Sequence, residues 1–173
     1  MSGILRTMTA AFFAVAICTA ETAADDVTGL WKGLDQNTGE TEMLAYIYEY
    51  QGRVYGRMVA TYCDGVLREF MGGCVSDIAG RWVGDPTYVG MELIWDMVDQ
   101  GSKWKKGHVC DPEEGKIYGC EMWLEDGNLV VRGKIGPFGG NQVWLPVDDS
   151  EIPYGFDYGN PSSWVPHVPI LKE

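Results

Sequence analysis

Positive charge and histidine are scarce in this sequence: 13 Lys and Arg stand against 25 Asp and Glu, with two His, for a net charge of -12. Long-range repulsion from phosphate backbones and anionic headgroups therefore argues against nucleic-acid binding and against docking on a membrane surface. There is no Cys-x-x-Cys, which removes the zinc knuckle and the thioredoxin-type redox pair. Gly-x-Ser-x-Gly, His-Glu-x-x-His and the phosphate-binding loop are also missing, so no nucleophile, base or metal centre can be named. The expectation is a protein without enzymatic activity, cofactor or resident metal. No segment keeps a helical period, and no apolar run is long enough to span a bilayer as a helix.

What is present is apolar and aromatic material on a lightly charged chain, 46% hydrophobic and 22% charged, which is enough to bury a core and too little charge for a disordered segment. Residues 1–24 read as a secretory signal. Arg6 supplies the basic start, Met8 to Cys18 is apolar, and Thr22 and Ala24 are the small residues of a cleavage site. The expected location is periplasmic or secreted. Cleavage after Ala24 removes Cys18 and leaves Cys63, Cys74, Cys110 and Cys120 in a compartment that permits disulfides. The domain expectation is a signal at 1–24, a body at 25–145, and a proline- and aromatic-rich extension at 146–173.

Glycines spaced through the body separate stretches rich in Tyr, Val, Ile, Met and Trp, the pattern of short antiparallel strands. Strands are expected at 29–35, 41–50, 53–62, 90–97, 103–110, 116–125, 128–135 and 141–145. Tight connections at Gln51-Gly52, Asp126-Gly127 and Asp111-Pro112-Glu113-Glu114-Gly115 make neighbours in sequence neighbours in space. Such strands close most economically into an all-β, eight-stranded up-and-down barrel, because closure removes the free edges; a two-sheet sandwich is the runner-up. The Gln51-Gly52 turn puts Ile47 opposite Gly56 and Tyr48 opposite Tyr55. The Asp126-Gly127 turn puts Met122 opposite Val131 and Glu121 opposite Arg132. Regular pairing across the 111–115 turn sets His108 beside Tyr118, while a bulge at Gly107 turns Val109 inward instead.

An ordered series of blocks then stands out: Gly29-Leu30-Trp31-Lys32, Gly52-Arg53-Val54-Tyr55-Gly56, Gly90 to Trp95, Trp104-Lys105-Lys106-Gly107, Asp111-Pro112-x-x-Gly115-Lys116-x-Tyr118, Leu129 to Gly133 and Gln142-x-Trp144. Over residues 29 to 145 the chain resembles the bacterial secreted family called domain of unknown function 2147. The resemblance implies a lipocalin-like (calycin-type) barrel exported to the periplasm. Gly29-x-Trp31 also matches the lipocalin opening motif, whose Trp plugs one barrel end under a late Arg, here Arg132 or Arg57. The chain departs from the family's pattern around Trp144 and in its extension.

Alternating strand direction puts the long stretch from Cys63 to Val89, a lid by its length, at one barrel end with the 36–40, 111–115 and 136–140 loops. The candidate ligand-binding residues of the interior are Trp31, Met58, Trp95, Trp104, Tyr118 and Met122, with room left by Gly56 and Gly133; the competing reading is a solid core. Cys63 and Cys74 are the expected disulfide, and pairing of Cys110 with Cys120 is disfavoured. His108, Cys110 and Asp111 do not make a convincing metal site. Asp111, Glu113 and Glu114 read as turn chemistry. The functional expectation is a carrier of a small apolar or amphipathic ligand; the alternative is an envelope interaction module with a solid barrel, its partner unspecified. The extension is expected to lie on the outer wall, its Ile152, Tyr154, Phe156, Tyr158 and Trp164 covering Leu44, Tyr46, Tyr48, Tyr55 and Val59.

Overall fold

Two dipeptides begin the barrel. In the computed structural model, which describes residues 23–63, 66–68, 78–152 and 154–173, Gln51 and Gly52 have φ of 51° and 74°, and Asp126 and Gly127 have 52° and 79°. Left-handed backbone at both central residues is the tight hairpin turn whose twist matches that of the strands it joins. These turns join β2 (Thr41–Tyr50) to β3 (Arg53–Cys63) and β7 (Lys116–Glu125) to β8 (Asn128–Ile135). The expected pairs are present: Ile47 with Gly56, Tyr48 with Tyr55, Met122 with Val131 and Glu121 with Arg132.

The remaining strands are β1 (Gly29–Leu34), β4 (Val66–Arg68), β5 (Glu92–Asp99), β6 (Trp104–Asp111) and β9 (Phe138–Pro146). Their order is β2-β1-β9-β8-β7-β6-β5-β3-β4, and an additional β2–β3 pairing closes eight of them into an antiparallel up-and-down barrel. The closing seam is short. β1 meets β9 only through Trp31 with Pro146 and Lys32 with Leu145. β4, an addition to the expected set, hangs on the end of β3 within the long connection.

Two features go beyond the sequence reading, the β6–β7 register that it left open and the start of β9, while other strand bounds shift by one or two residues, as in β5 (expected 90–97) and β6 (expected 103–110). Trp104 pairs with Met122, but Gly107 pairs with Cys120 and Val109 with Tyr118, so the strands slip by one residue between Trp104 and Gly107. Lys106, at φ 66°, is the bulge. It sets Val109, rather than His108, beside Tyr118. An added Cβ on Gly107 would stand 2.4 Å from the Trp95 carbonyl oxygen and 2.9 Å from the Met97 nitrogen, so the bulge presses β6 against β5 where only glycine fits. The second difference is β9. It begins at Phe138, leaving a turn at Gly136 and Pro137 where a five-residue loop was expected.

The extension lies against the outer wall. Leu44, Val59 and Ala60 are buried there beneath Val147, Phe156, Tyr158 and Trp164. The Tyr158 ring lies tilted against Tyr46 at 5.3 Å, and Trp164 sits edge-on to Tyr46 and Tyr48 at 5.8 and 5.2 Å. Tyr154 takes no part and is fully exposed. Further on, Leu171 bridges to Trp82, and Lys172 donates its backbone N–H to the Arg81 carbonyl. The tail thus runs from the β2–β3 wall to residues 78–85. Trp82, which sequence reasoning did not single out, is completely buried and donates its indole N–H to the Pro112 carbonyl at 3.0 Å.

Beneath this strap is Glu92, the one fully buried charged residue among those described. Its Oε1 accepts from the Tyr48 hydroxyl at 2.7 Å and from Arg57 Nε and Nη2 at 2.9 and 2.5 Å. Arg57 also donates to the Val165 carbonyl at 3.1 Å and stacks 4.5 Å above the Trp164 ring. The late-Arg role implied for the opening Trp is not filled. Among the described residues Arg57 packs on Trp164 and Tyr48, Arg132 donates to Asn141, and neither caps Trp31.

Candidate functional site

One end of the barrel is sealed from within. Val27, fully buried, accepts the Trp31 indole N–H at 2.9 Å, the Asp25 carbonyl accepts that of Trp104, and the Ala24 backbone N–H reaches Asp99. Each bond ties the segment before β1 across the base, so the plug satisfies the indoles that the aromatic strands bring inward. Above it Ile47, Val54, Ile94, Met97, Met122 and Leu129 are fully buried and fill the lower half. Gly56 contributes no space, because its missing Cβ position is already 2.7 Å from the Ile47 methyl and 3.2 Å from Ile94.

The other half is open. A cavity of about 480 Å³ leads to the end that carries the β1–β2, β3–β5, β6–β7 and β8–β9 connections. Its deep wall is apolar, from Met43, Met58, Leu93, Val109, Val131 and Trp144, with Tyr118 beside them. Gly133 faces this space, and a Cβ there would sit in ordinary contact, 3.6 Å from both Tyr118 and Val109. Polar groups lie nearer the mouth: Gln36, Thr61, Asn141 and Gln142, with three carboxylates, Glu42, Asp111 and Glu113. Burial, and then repulsion from Glu113, Asp35 and Asp111, hold the Glu42 carboxyl above its ordinary range.

The six expected interior residues separate. Met58 and Tyr118 line the cavity. Trp31 and Trp104 belong to the base, and Met122 to the packed floor. Trp95 stacks on exposed His108 at 5.6 Å, on the face opposite Val109. The bulges flanking β5, with Asp96 at φ 60°, break the alternation that would have turned Trp95 inward. Met43, Leu93, Thr61 and the mouth carboxylates were missed. Met43 and Thr61 were recoverable from the alternation of β2 and β3, whereas Glu42 meets Glu113 only after closure.

Asp111 does form the turn expected of it, its Oδ1 accepting the Glu114 N–H at 2.8 Å, and Glu114 pairs with Lys116. No group of three or more metal-ligating side chains occurs among the described residues. Cys110 and Cys120 are free, buried thiols; burial first, then Asp111, pushes the Cys110 thiol up to about 12. Cys74 of the expected Cys63 to Cys74 bridge lies outside the described residues, as do residues 1–22 of the expected signal.

A family model described as "Uncharacterized protein conserved in bacteria (DUF2147)" matches residues 29–145, the barrel without its extension. No curated protein matches the sequence. Among solved structures, protein HP1028 from the human pathogen Helicobacter pylori, described as belonging to the lipocalin family, superposes with a TM-score of 0.57. The identity is 16%, over 73% of this chain and 86% of that one. At that identity the likeness is one of fold, and the fold is a lipocalin-like barrel.

Proposed function

This chain belongs to the bacterial family DUF2147, and on that premise we propose that it binds and carries a small apolar or amphipathic molecule in the open half of its barrel. The observation that carries this reading is the division of the interior. A barrel built only to be solid would continue its packing to both rims, yet here the packing stops half-way and about 480 Å³ remains. That volume falls within the roughly 300–1,000 Å³ typical of small-molecule sites. The lining suits an amphipathic molecule, with an apolar deep wall that includes two flexible methionines able to adapt to varied shapes and seven polar or acidic side chains nearer the mouth.

Periplasmic export, with removal of residues 1–24, belongs to the same proposal. Cleavage after Ala24 removes the Ala24 bond to Asp99 but spares Asp25 and Val27, which accept the two indole N–H groups of the base. Native mass spectrometry of the protein isolated from the periplasm of its own cells is the test. A retained ligand appears as added mass lost on denaturation; a uniformly ligand-free protein that also takes up no apolar probe contradicts the carrier reading.

One observation favours the interaction-module reading. Ile135 and Phe138, paired at the tip of the β8–β9 hairpin, are 66% and 78% exposed beside the mouth. Replacing both with Ser distinguishes the two: loss of a co-purifying protein with ligand uptake intact assigns the tip to a partner.

A further inference from the structure

We infer that the molecule carried is a cationic amphipath, its ammonium or guanidinium group held at the cavity mouth and its apolar part against the deep wall. This rests on the carrier reading and adds the sign of the ligand's charge. The described lining holds three carboxylates, Glu42, Asp111 and Glu113, and no Lys, Arg or His. Six acids elsewhere are held in ion pairs: Glu92 with Arg57, Glu121 with Lys134, Glu151 with Lys32, Glu114 with Lys116, Asp85 with Lys172 and Asp96 with Arg53. None of these ion pairs includes a mouth carboxylate. Burial first, and then Glu113, Asp35 and Asp111, raise the Glu42 carboxyl, so the mouth acids share one field; Arg81, on the Glu113 carbonyl, and Lys116, paired with Glu114, stand outside the lining.

Such a field, focused at a concave mouth with low-dielectric walls, concentrates cations and repels anions. A fatty-acid-like ligand would bring its carboxylate to three others. A metal ion is not served either, since no three ligating side chains converge among the described residues. An organic cation has a diffuse charge that needs no tight coordination shell, and the Tyr118 ring on the lining supplies a face that attracts it. The deep wall, with Met58, Leu93 and Val131, then takes an alkyl or aryl portion.

The test is calorimetric titration of the mature chain, at neutral pH and low salt, with three probes sharing one decyl tail below their micelle concentrations. These are decyltrimethylammonium, decyldimethylphosphine oxide and decanoate. The expected result is that the ammonium probe binds about tenfold more tightly than the neutral one, with decanoate weakest. In the Glu42→Gln, Glu113→Gln variant, whose changes fall on exposed side chains, the ratio of ammonium to neutral affinity falls towards one. Equal or tighter binding of the neutral or anionic probe overturns the cation assignment and leaves the carrier reading standing. So does an ammonium preference that survives the double substitution. If none of the three binds, both fall.

Discussion

Replacing Arg57 with Met removes the only cation, among the described residues, that pairs with the fully buried Glu92 carboxylate. Glu92 keeps the Tyr48 hydroxyl and loses two charge-assisted bonds at 2.9 and 2.5 Å, while the tail loses the Val165 bond and the guanidinium over Trp164. Breaking one side of a buried pair costs about 3 to 5 kcal/mol, and the lost stacking adds up to about 1. Arg57→Met is therefore expected to destabilise by about 4 kcal/mol, lowering the melting temperature by roughly 8 to 16 °C for a chain of this size. Replacing the partner as well, in Arg57→Met with Glu92→Leu, leaves no buried charge, and the double variant is expected to be more stable than Arg57→Met alone by about 2 kcal/mol.

The pH dependence has a definite sign. Burial holds the Glu92 carboxyl above its ordinary range, against the opposing pull of Tyr48 and Arg57. Without Arg57 it rises further. A carboxyl raised in the folded state adds stability below its unfolded value, and that contribution is lost as pH rises through the folded value. The deficit of Arg57→Met is accordingly largest at neutral pH and narrows on acidification towards the ordinary glutamate range. Urea denaturation at several pH values reads both quantities. A deficit under about 1 kcal/mol, or one that widens in acid, refutes the reasoning.

Gly107→Ala forces a methyl against the Trp95 carbonyl and the Met97 backbone, and is expected to cost about 3 kcal/mol by thermal melting, whereas Gly119→Ala, with its nearest neighbour at 3.8 Å, costs far less. Removing residues 148–173 uncovers Glu92 and the Leu44–Val59 patch; the shortened chain is expected to lose about 3 kcal/mol in urea melts and to bind a hydrophobic dye. Cys110 and Cys120, buried and with thiols shifted away from the reactive thiolate, stay unlabelled by iodoacetamide at pH 8 until the protein unfolds, and a non-reducing peptide map joins Cys63 to Cys74.

How far the sequence reveals this molecule depends on whether a feature is local. Gln51-Gly52 and Asp126-Gly127 dictate their own backbone, and each hairpin register follows by counting outward. The outer aromatic patch and its cover were legible for a related reason, since the β2–β3 register put Tyr46, Tyr48 and Tyr55 on one face and only the extension offered comparable aromatics. The bulge at Lys106 carries no local mark beyond the adjacent glycine, and its cause, contact with β5, lies in another strand. Strand β9 was shortened because glycine reads as a breaker, while Gly139 is there to pass the β8 backbone, its missing Cβ standing 2.7 Å from the Gly133 carbonyl. In the site, Met58 and Tyr118 followed from simple alternation. Trp95 failed where bulges interrupt the alternation, and the mouth carboxylates were hidden because Asp111 and Glu113 also satisfy a turn.

The carrier reading stands or falls on whether the open half of the barrel takes up a molecule. The most direct measurement is fluorescence titration of a neutral apolar probe, N-phenylnaphthylamine, into the wild-type chain and into Gly133→Leu. The new side chain starts at ordinary contact distance, 3.6 Å from Tyr118 and Val109, and grows into the cavity. The account predicts one saturable site in the wild type, and an affinity lowered about tenfold or more in a Gly133→Leu variant that melts as the wild type does. No binding to the wild type, or equal binding to both, contradicts it.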